Sequence, residues 1–222
     1  MNDQFARDAS KIAYGTSQEA LELAHKYNVT LVYDTGEARA YYDSTNQIIT
    51  IANRGTDISK GTKDIWADIS IGLGLEDYSP RFDRAMDVQR QMEVQYPNAD
   101  IIQTGHSLGG SLAEYVGNKS DRVTKIVTFN QGSGIGDIGK TVSDKQVDYI
   151  DLWDPVSALH AFQEGGKTKY TTKYEPWKDP IGFHDIYQHT VSKSNNSQTV
   201  SQSQSRYKQR MLNKGIKKIL KK

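Results

Sequence analysis

Five residues, Gly105-His106-Ser107-Leu108-Gly109, constrain this chain more than any others. The β-prone run at 101–104 precedes them, and a helical pattern over 108–116 follows, with Gly117 as its expected stop. A Gly-x-Ser-x-Gly stretch between a strand and a helix requires a turn so tight that the positions two residues before and after the serine cannot carry side chains. Such a turn holds the serine hydroxyl clear at the sheet edge. It also sets it at a helix N-terminus, where the macrodipole favours developing negative charge. Ser107 is therefore expected to be a nucleophile. His106 is a poor base for it, because neighbouring side chains on a tight turn point in different directions; it is expected to pack behind the serine.

The surrounding pattern specifies the scaffold. Residues 2–14 place Phe5, Ala9, Ile12 and Ala13 at helical spacing, and Thr16 with Glu19 forms a capping box for a helix to about Tyr27. Residues 29–33, 40–43 and 47–52 read as strands, with a hairpin turn at Asp43-Ser44-Thr45-Asn46. Ser79-Pro80 starts a helix that Pro97-Asn98 ends, and 123–129 and 147–152 are further strands. Helices alternate with apolar strands over 80–152, which is the signature of an α/β fold with a mostly parallel sheet.

At 222 residues, one domain with a sizeable core is expected. The absence of cysteine excludes disulfides, thiolate metal sites and a cysteine nucleophile. No His/Asp/Glu grouping has the spacing of a metal centre, and no cofactor is expected. The start of the chain lacks the basic and apolar regions of a signal peptide, and no window reaches the ~20 apolar residues of a membrane span. A cytoplasmic or membrane-peripheral location is the expectation. Gly132, Gly134 and Gly136 fit neither phosphate-loop pattern and read as a mobile loop.

Several segments line up, in order, with one family. Residues 49–56 end in Arg54-Gly55-Thr56, and Asp64-Ile65-Trp66-Ala67-Asp68 follows. Val127-Thr128-Phe129, Asp154-Pro155-Val156 and His184-Asp185-Ile186-Tyr187 come after the serine motif. Over roughly residues 30–190 the chain resembles the class 3 (fungal-type) lipases of the α/β-hydrolase superfamily. The resemblance implies a central, mostly parallel sheet flanked by helices. It also implies hydrolysis of lipid carboxylesters of the triacylglycerol or phospholipid type through an acyl-enzyme. One departure borders the site: Asn130-Gln131-Gly132-Ser133 stands where the family has Gly-x-Pro-Arg.

The order Ser, Asp, His is that of the superfamily. Asp154, just past a strand, matches the family's acid motif; Asp148 and Asp151 are rivals, the latter read as a solvated edge residue. His184 and His189 both follow the acid and both remain candidate bases, with His184 favoured by the tyrosine three residues on. His160 is too close to Asp154, and His25 reads as a surface residue. An oxyanion hole is expected from the Leu108 N–H, and the resemblance implies Thr56 as its second member. Arg54 reads as an ion-pair partner of Asp64 or Asp68. Residues 57–78, with Trp66, Ile69, Ile71, Leu73 and Leu75 and glycines at 72 and 74, fit either a lid or a buried helix end plus loop.

Three units are expected: a hydrolase-type domain over 1–191, a polar linker over 192–205, and a basic amphipathic helix over 206–222. The last carries eight Lys/Arg and no acidic residue, a pattern suited to an anionic membrane surface more than to nucleic acid, or to a helix packed on the domain. Three functions remain open at this point: a lipid ester hydrolase, a non-lipid esterase or acyltransferase on the same scaffold, and a non-enzymatic binding protein. Composition is silent on oligomeric state.

Overall fold

The computed structural model describes residues 2–56, 79–132, 141–151, 154, 157 and 164–171. The expectations for 57–78, the glycines at 134 and 136, His160, His184, His189 and residues 192–222 lie outside the described residues.

Two helices lead the chain. Helix α1 (Asp3–Ile12) is capped by Asn2, whose side chain accepts from the Phe5 N–H. Helix α2 (Ser17–Tyr27) starts with the capping box at Thr16 and Glu19. Strands β1 (Thr30–Asp34), β2 (Ala38–Asp43) and β3 (Ile48–Asn53) follow. Helix α3 (Ser79–Gln95), strand β4 (Asp100–His106) and helix α4 (Leu108–Lys119) come next, then β5 (Val123–Phe129), β6 (Thr141–Asp151) and β7 (Glu164–Thr171). The seven strands form one sheet in the order β1-β2-β3-β4-β5-β6-β7. The pairs β1–β2 and β2–β3 are antiparallel, and every pair from β3 to β7 is parallel. This is the expected α/β-hydrolase arrangement, a mostly parallel sheet flanked by helices.

Alternation along the strands assigns the two faces. Ile49, Ile51, Ile101 and Ile126 pack with Val88 and Met92 of α3 and Ala113 of α4. Their neighbours Ile102 and Val127 pack with Ala6 of α1, and Tyr41 and Ala52 pack with α1 and α2. So α1 and α2 cover one face, and α3 and α4 cover the other.

Two expectations change. Gly117 does not stop α4, which continues to Lys119. A Cβ at Gly117 would strike the Ile126 side chain, so the glycine permits close packing of helix on strand rather than a cap. Strand β6 begins at Thr141, several residues before the expected start, and β7 has no apolar alternation to signal it; it is held by parallel pairing with β6.

Buried polar side chains fasten the layers beneath the serine turn. Asn53 donates to Gln103 (2.7 Å), and Gln103 donates to Gln89 of α3 (2.7 Å). Gln89 in turn donates to Glu93 and Ser120. On the opposite face Thr104 shares a hydrogen bond with Ser10 of α1 and donates to the Val127 carbonyl. Satisfied networks of this kind fix element positions, because any other arrangement would leave buried amides unpaired.

Candidate active site

Ser107 joins β4 to α4 with φ 57° and ψ −129°. A non-glycine residue there carries strain of about 1–3 kcal/mol, and such strain persists only where the surroundings impose it. They do so through backbone: the Ser107 N–H donates to the Phe129 carbonyl (3.1 Å), and the Ser107 carbonyl accepts from Gly110, Ser111 and Gly132. The glycines make the turn possible. A Cβ at Gly105 would run into the Gly109 carbonyl, and one at Gly109 would run into the Asn53 carbonyl. The Ser107 side chain is fully buried rather than clear at the sheet edge as expected, makes no cap bond, and among the described residues its Oγ has no hydrogen-bond partner. Its neighbour Leu108 takes the first helical position, where the N–H has no intrahelical acceptor.

The loop after β3 lies against this turn. A Cβ at Gly55 would meet the His106 carbonyl at 2.6 Å and the Gly109 nitrogen at 3.3 Å. Thr56, next in the chain, is half-buried. What holds the loop is Tyr14, which no sequence motif marks. Its hydroxyl accepts from the Gly55 N–H (3.1 Å), donates to the His106 carbonyl (3.3 Å), and lies 3.2 Å from His106 Nδ1. Tyr14 is fixed in turn by the end of α1: buried Arg39 of β2 donates to the carbonyls of Ile12 and Gly15 and pairs with Asp34 at 2.7 Å. A guanidinium at a helix C-terminus satisfies open carbonyls and opposes the dipole. His106 is buried behind the serine, as expected, and His25 is exposed. The expected acidic partners of Arg54 lie outside the described residues; its guanidinium lies 5.6 Å from the Tyr14 ring centroid.

The carboxylates past the serine differ in their surroundings. Asp148 lies within β6 and accepts from Thr128 (2.6 Å) and Gln146 (2.8 Å), so it fastens strands together. Asp151 ends β6 and is fully buried, not a solvated edge residue. Asp154 lies beyond the strand, also fully buried, with its N–H on the Asp151 carbonyl and its Oδ2 accepting from Ser157 (3.0 Å). Asn130, at φ 40°, ties this segment to the end of β5: its Oδ1 accepts from the Asp151 N–H (2.7 Å) and from Ser157 Oγ (3.4 Å). The Asn130 segment, where the sequence departs from the resembled family, thus runs from the serine turn to the Asp154 loop. Among the candidates, the structure brings Ser107, Leu108 and the Thr56 loop together and describes Asp154; His184 and His189 lie outside the described residues.

Among known proteins, a family model described as a Tle-like phospholipase domain matches residues 12–150. The chain belongs to this Tle-like phospholipase domain family. The matched span takes in Tyr14, the Gly55 loop and the serine turn, and stops four residues before Asp154. No curated protein matches. Solved structures similar in fold include the Rhizomucor miehei triacylglyceride lipase, at 13% identity over 84% of this chain and 91% of that one, TM-score 0.55. The N225Q form of MDLA from Penicillium cyclopium is similar at 17% identity over 87% and 83%, TM-score 0.53. Lip2 lipase from Yarrowia lipolytica is similar at 19% identity over 77% of each chain, TM-score 0.50. The phospholipase-like domain thus shares with these proteins a fold on which its serine turn occupies a strand-to-helix junction. Among the described residues no helix is long and apolar enough to cross a membrane.

Proposed function

We propose that the chain is a serine carboxylester hydrolase of phospholipids, related in mechanism to the class 3 lipases it resembles. The observation that carries this reading is Ser107 itself: a strained, buried serine at a helix N-terminus, held by backbone on both sides. The phospholipid class rests on the family match. In this reading Ser107 Oγ attacks the ester carbonyl, and a histidine accepts its proton. The oxyanion of the tetrahedral intermediate is met by the Leu108 N–H and by Thr56. The histidine then protonates the leaving alcohol, and the acyl group stays on Ser107 until water, deprotonated by the same histidine, attacks it; the histidine returns that proton to Ser107 Oγ as the fatty acid leaves. Asp154 holds that histidine in its tautomer and stabilises its cation. His184 is the assigned base, with His189 as the alternative. A non-lipid esterase or an acyltransferase would use the same groups.

Release of fatty acid from a short-chain phosphatidylglycerol, followed with native protein and with His184→Ala and His189→Ala, tests the reading. His184→Ala is expected to lose activity by about 10³-fold or more, and His189→Ala to stay within about threefold. The reverse pattern transfers the role to His189. No fatty acid release by the native protein contradicts the proposal.

A second expectation concerns Tyr14. Tyr14→Phe leaves the ring and removes the bridge between Gly55 and His106. The Thr56 loop then loses its register against the serine turn. Because this affects the transition state more than substrate binding, kcat is expected to fall about tenfold with KM nearly unchanged. A rise in KM at constant kcat would contradict this positioning role.

A further inference from the structure

A cavity of about 370 Å³ opens between the β1–β3 end of the sheet and α3, lined among others by Tyr33, Arg81, Arg84, Val88, Gln91 and Leu112. Among the described residues, Thr56, Ser107, Leu108 and Asp154 are not part of its lining. It borders the serine turn nonetheless, because Asn53 is part of its wall and the Asn53 carbonyl lies where a side chain at Gly109 would have to be. Its floor is apolar, with Ala38, Ala85, Val88 and Leu112. Its charged groups are unevenly committed. Arg84 donates through two nitrogens to the two Glu37 oxygens, at 2.6 and 2.8 Å, and that guanidinium holds the Glu37 carboxyl below the usual carboxylate range. Asp87 pairs with Arg90 at 2.7 Å. The wall amide Asn53 and the hydroxyl of Thr35 are engaged with Gln103 and Ala38.

Arg81 is different. It is half-buried, and among the described residues its hydrogen bonding is confined to the Arg54 carbonyl. Burial, with the nearby Arg84 and Arg54 cations, lowers its pKa from the usual arginine value, and Glu37, already shared with Arg84, offsets only part of this. Among the described residues this guanidinium, with five donors, has one carbonyl partner and no carboxylate of its own, which is the donor set an anion receptor needs. Surface arginines do not need such explanation; a half-buried one lining a cavity with an apolar floor does.

The geometry points to the Arg81 cavity as a binding subsite for a phosphate group, with Tyr33 and Gln91 as further polar lining and the apolar floor under the carbon atoms attached to the phosphate. A phosphate suits the excess of positive charge around Arg81 better than a carboxylate, because it offers more oxygens to the planar fork. Arg81 holds the Arg54 carbonyl, two residues before Thr56, so an occupied cavity and the proposed oxyanion loop share one strut. The phosphate source as a lipid headgroup rests on the phospholipid reading above; phosphate binding itself does not.

Calorimetric titration of the full chain with glycerol 3-phosphate, inorganic phosphate and octanoate, in native protein, Arg81→Gln and Arg81→Lys, tests the site without requiring turnover. The native protein is expected to bind glycerol 3-phosphate, Arg81→Gln to bind it about tenfold or more weakly, and Arg81→Lys to fall between them. Equal binding by native and Arg81→Gln proteins, binding by neither, or binding of octanoate in preference to phosphate overturns the assignment. A kinetic arm separates the sources. If the phosphate is a headgroup, Arg81→Gln raises KM for a short-chain phosphatidylglycerol about tenfold relative to KM for p-nitrophenyl butyrate. Phosphate binding lost in the variant with that ratio unchanged assigns the site to free phosphate, and so supports the site while removing the headgroup. An enzyme inactive on every ester refutes the proposed hydrolase and leaves the titration to decide the subsite.

Discussion

Ser107→Ala is expected to lower kcat/KM for ester hydrolysis by about 10⁴-fold or more while leaving the folded state intact. The size follows from the proposed chemistry, since without Oγ no acyl-enzyme forms and only binding and the oxyanion donors remain. The intact fold follows from the structure. The turn is held by main-chain bonds to Phe129, Gly110, Ser111 and Gly132, none of which uses the hydroxyl. Alanine, like serine, carries a Cβ, so the φ of 57° is no more strained than before. Removing a buried hydroxyl that lacks a partner among the described residues is expected to leave stability unchanged or raise it by up to about 1 kcal/mol. Matched thermal unfolding and turnover measurements check both halves. A large fall in stability would mean that the hydroxyl is structural, and retained turnover would remove the nucleophile.

Gly105→Ala is expected to do the opposite and act on the fold first. Its Cβ would meet the carbonyl of Gly109 and, at 2.7 Å, the nitrogen of Gly110. These atoms are helix backbone and cannot rotate away as a side chain would. Gly105 also sits in the ladder between Asn53 of β3 and Thr128 of β5, so the strand cannot shift without breaking two registers. Overpacking against backbone is expected to cost about 3 kcal/mol or more, which for a chain of this size lowers Tm by roughly 6–12 °C. Gly36→Ala is the matched control, since a Cβ there meets nothing within 4 Å. Equal Tm values for the two variants would show that the turn is looser than the structure has it.

How far the sequence reached follows from what each feature depends on. The first two helices, the hairpin of β2 and β3, and the strand and helix around Ser107 follow local rules: a capping box, β-branched runs, a turn between them. They lie within a residue or two of their expected places, apart from the end of α4, which runs three residues past the expected one. Gly117 misled because a glycine near a helix end is usually a cap, whereas here the Ile126 side chain determines it. Strand β7 has no local pattern, and only its pairing with β6 makes it a strand. The site divides in the same way. Ser107 and its glycines form a local motif. Tyr14 lies 92 residues from His106 in the chain, and Asn130 lies 21 from Asp151, so no spacing rule connects them. Arg39, whose guanidinium bonds the carbonyls at the end of α1, belongs to no motif and lies just outside the strand expected over 40–43. The bracing around Ser107 is tertiary, and only the turn that carries the serine has a sequence signature.

The most direct test of Ser107 as nucleophile is covalent. A fluorophosphonate probe reacts with an activated serine and forms a phosphonyl ester on its Oγ. After treatment of the full chain, mass spectrometry of the digested protein is expected to find the adduct on the peptide containing Gly105-His106-Ser107, and Ser107→Ala is expected to carry none. Equal labelling of the native and Ser107→Ala proteins, or an adduct on another serine, would contradict the account.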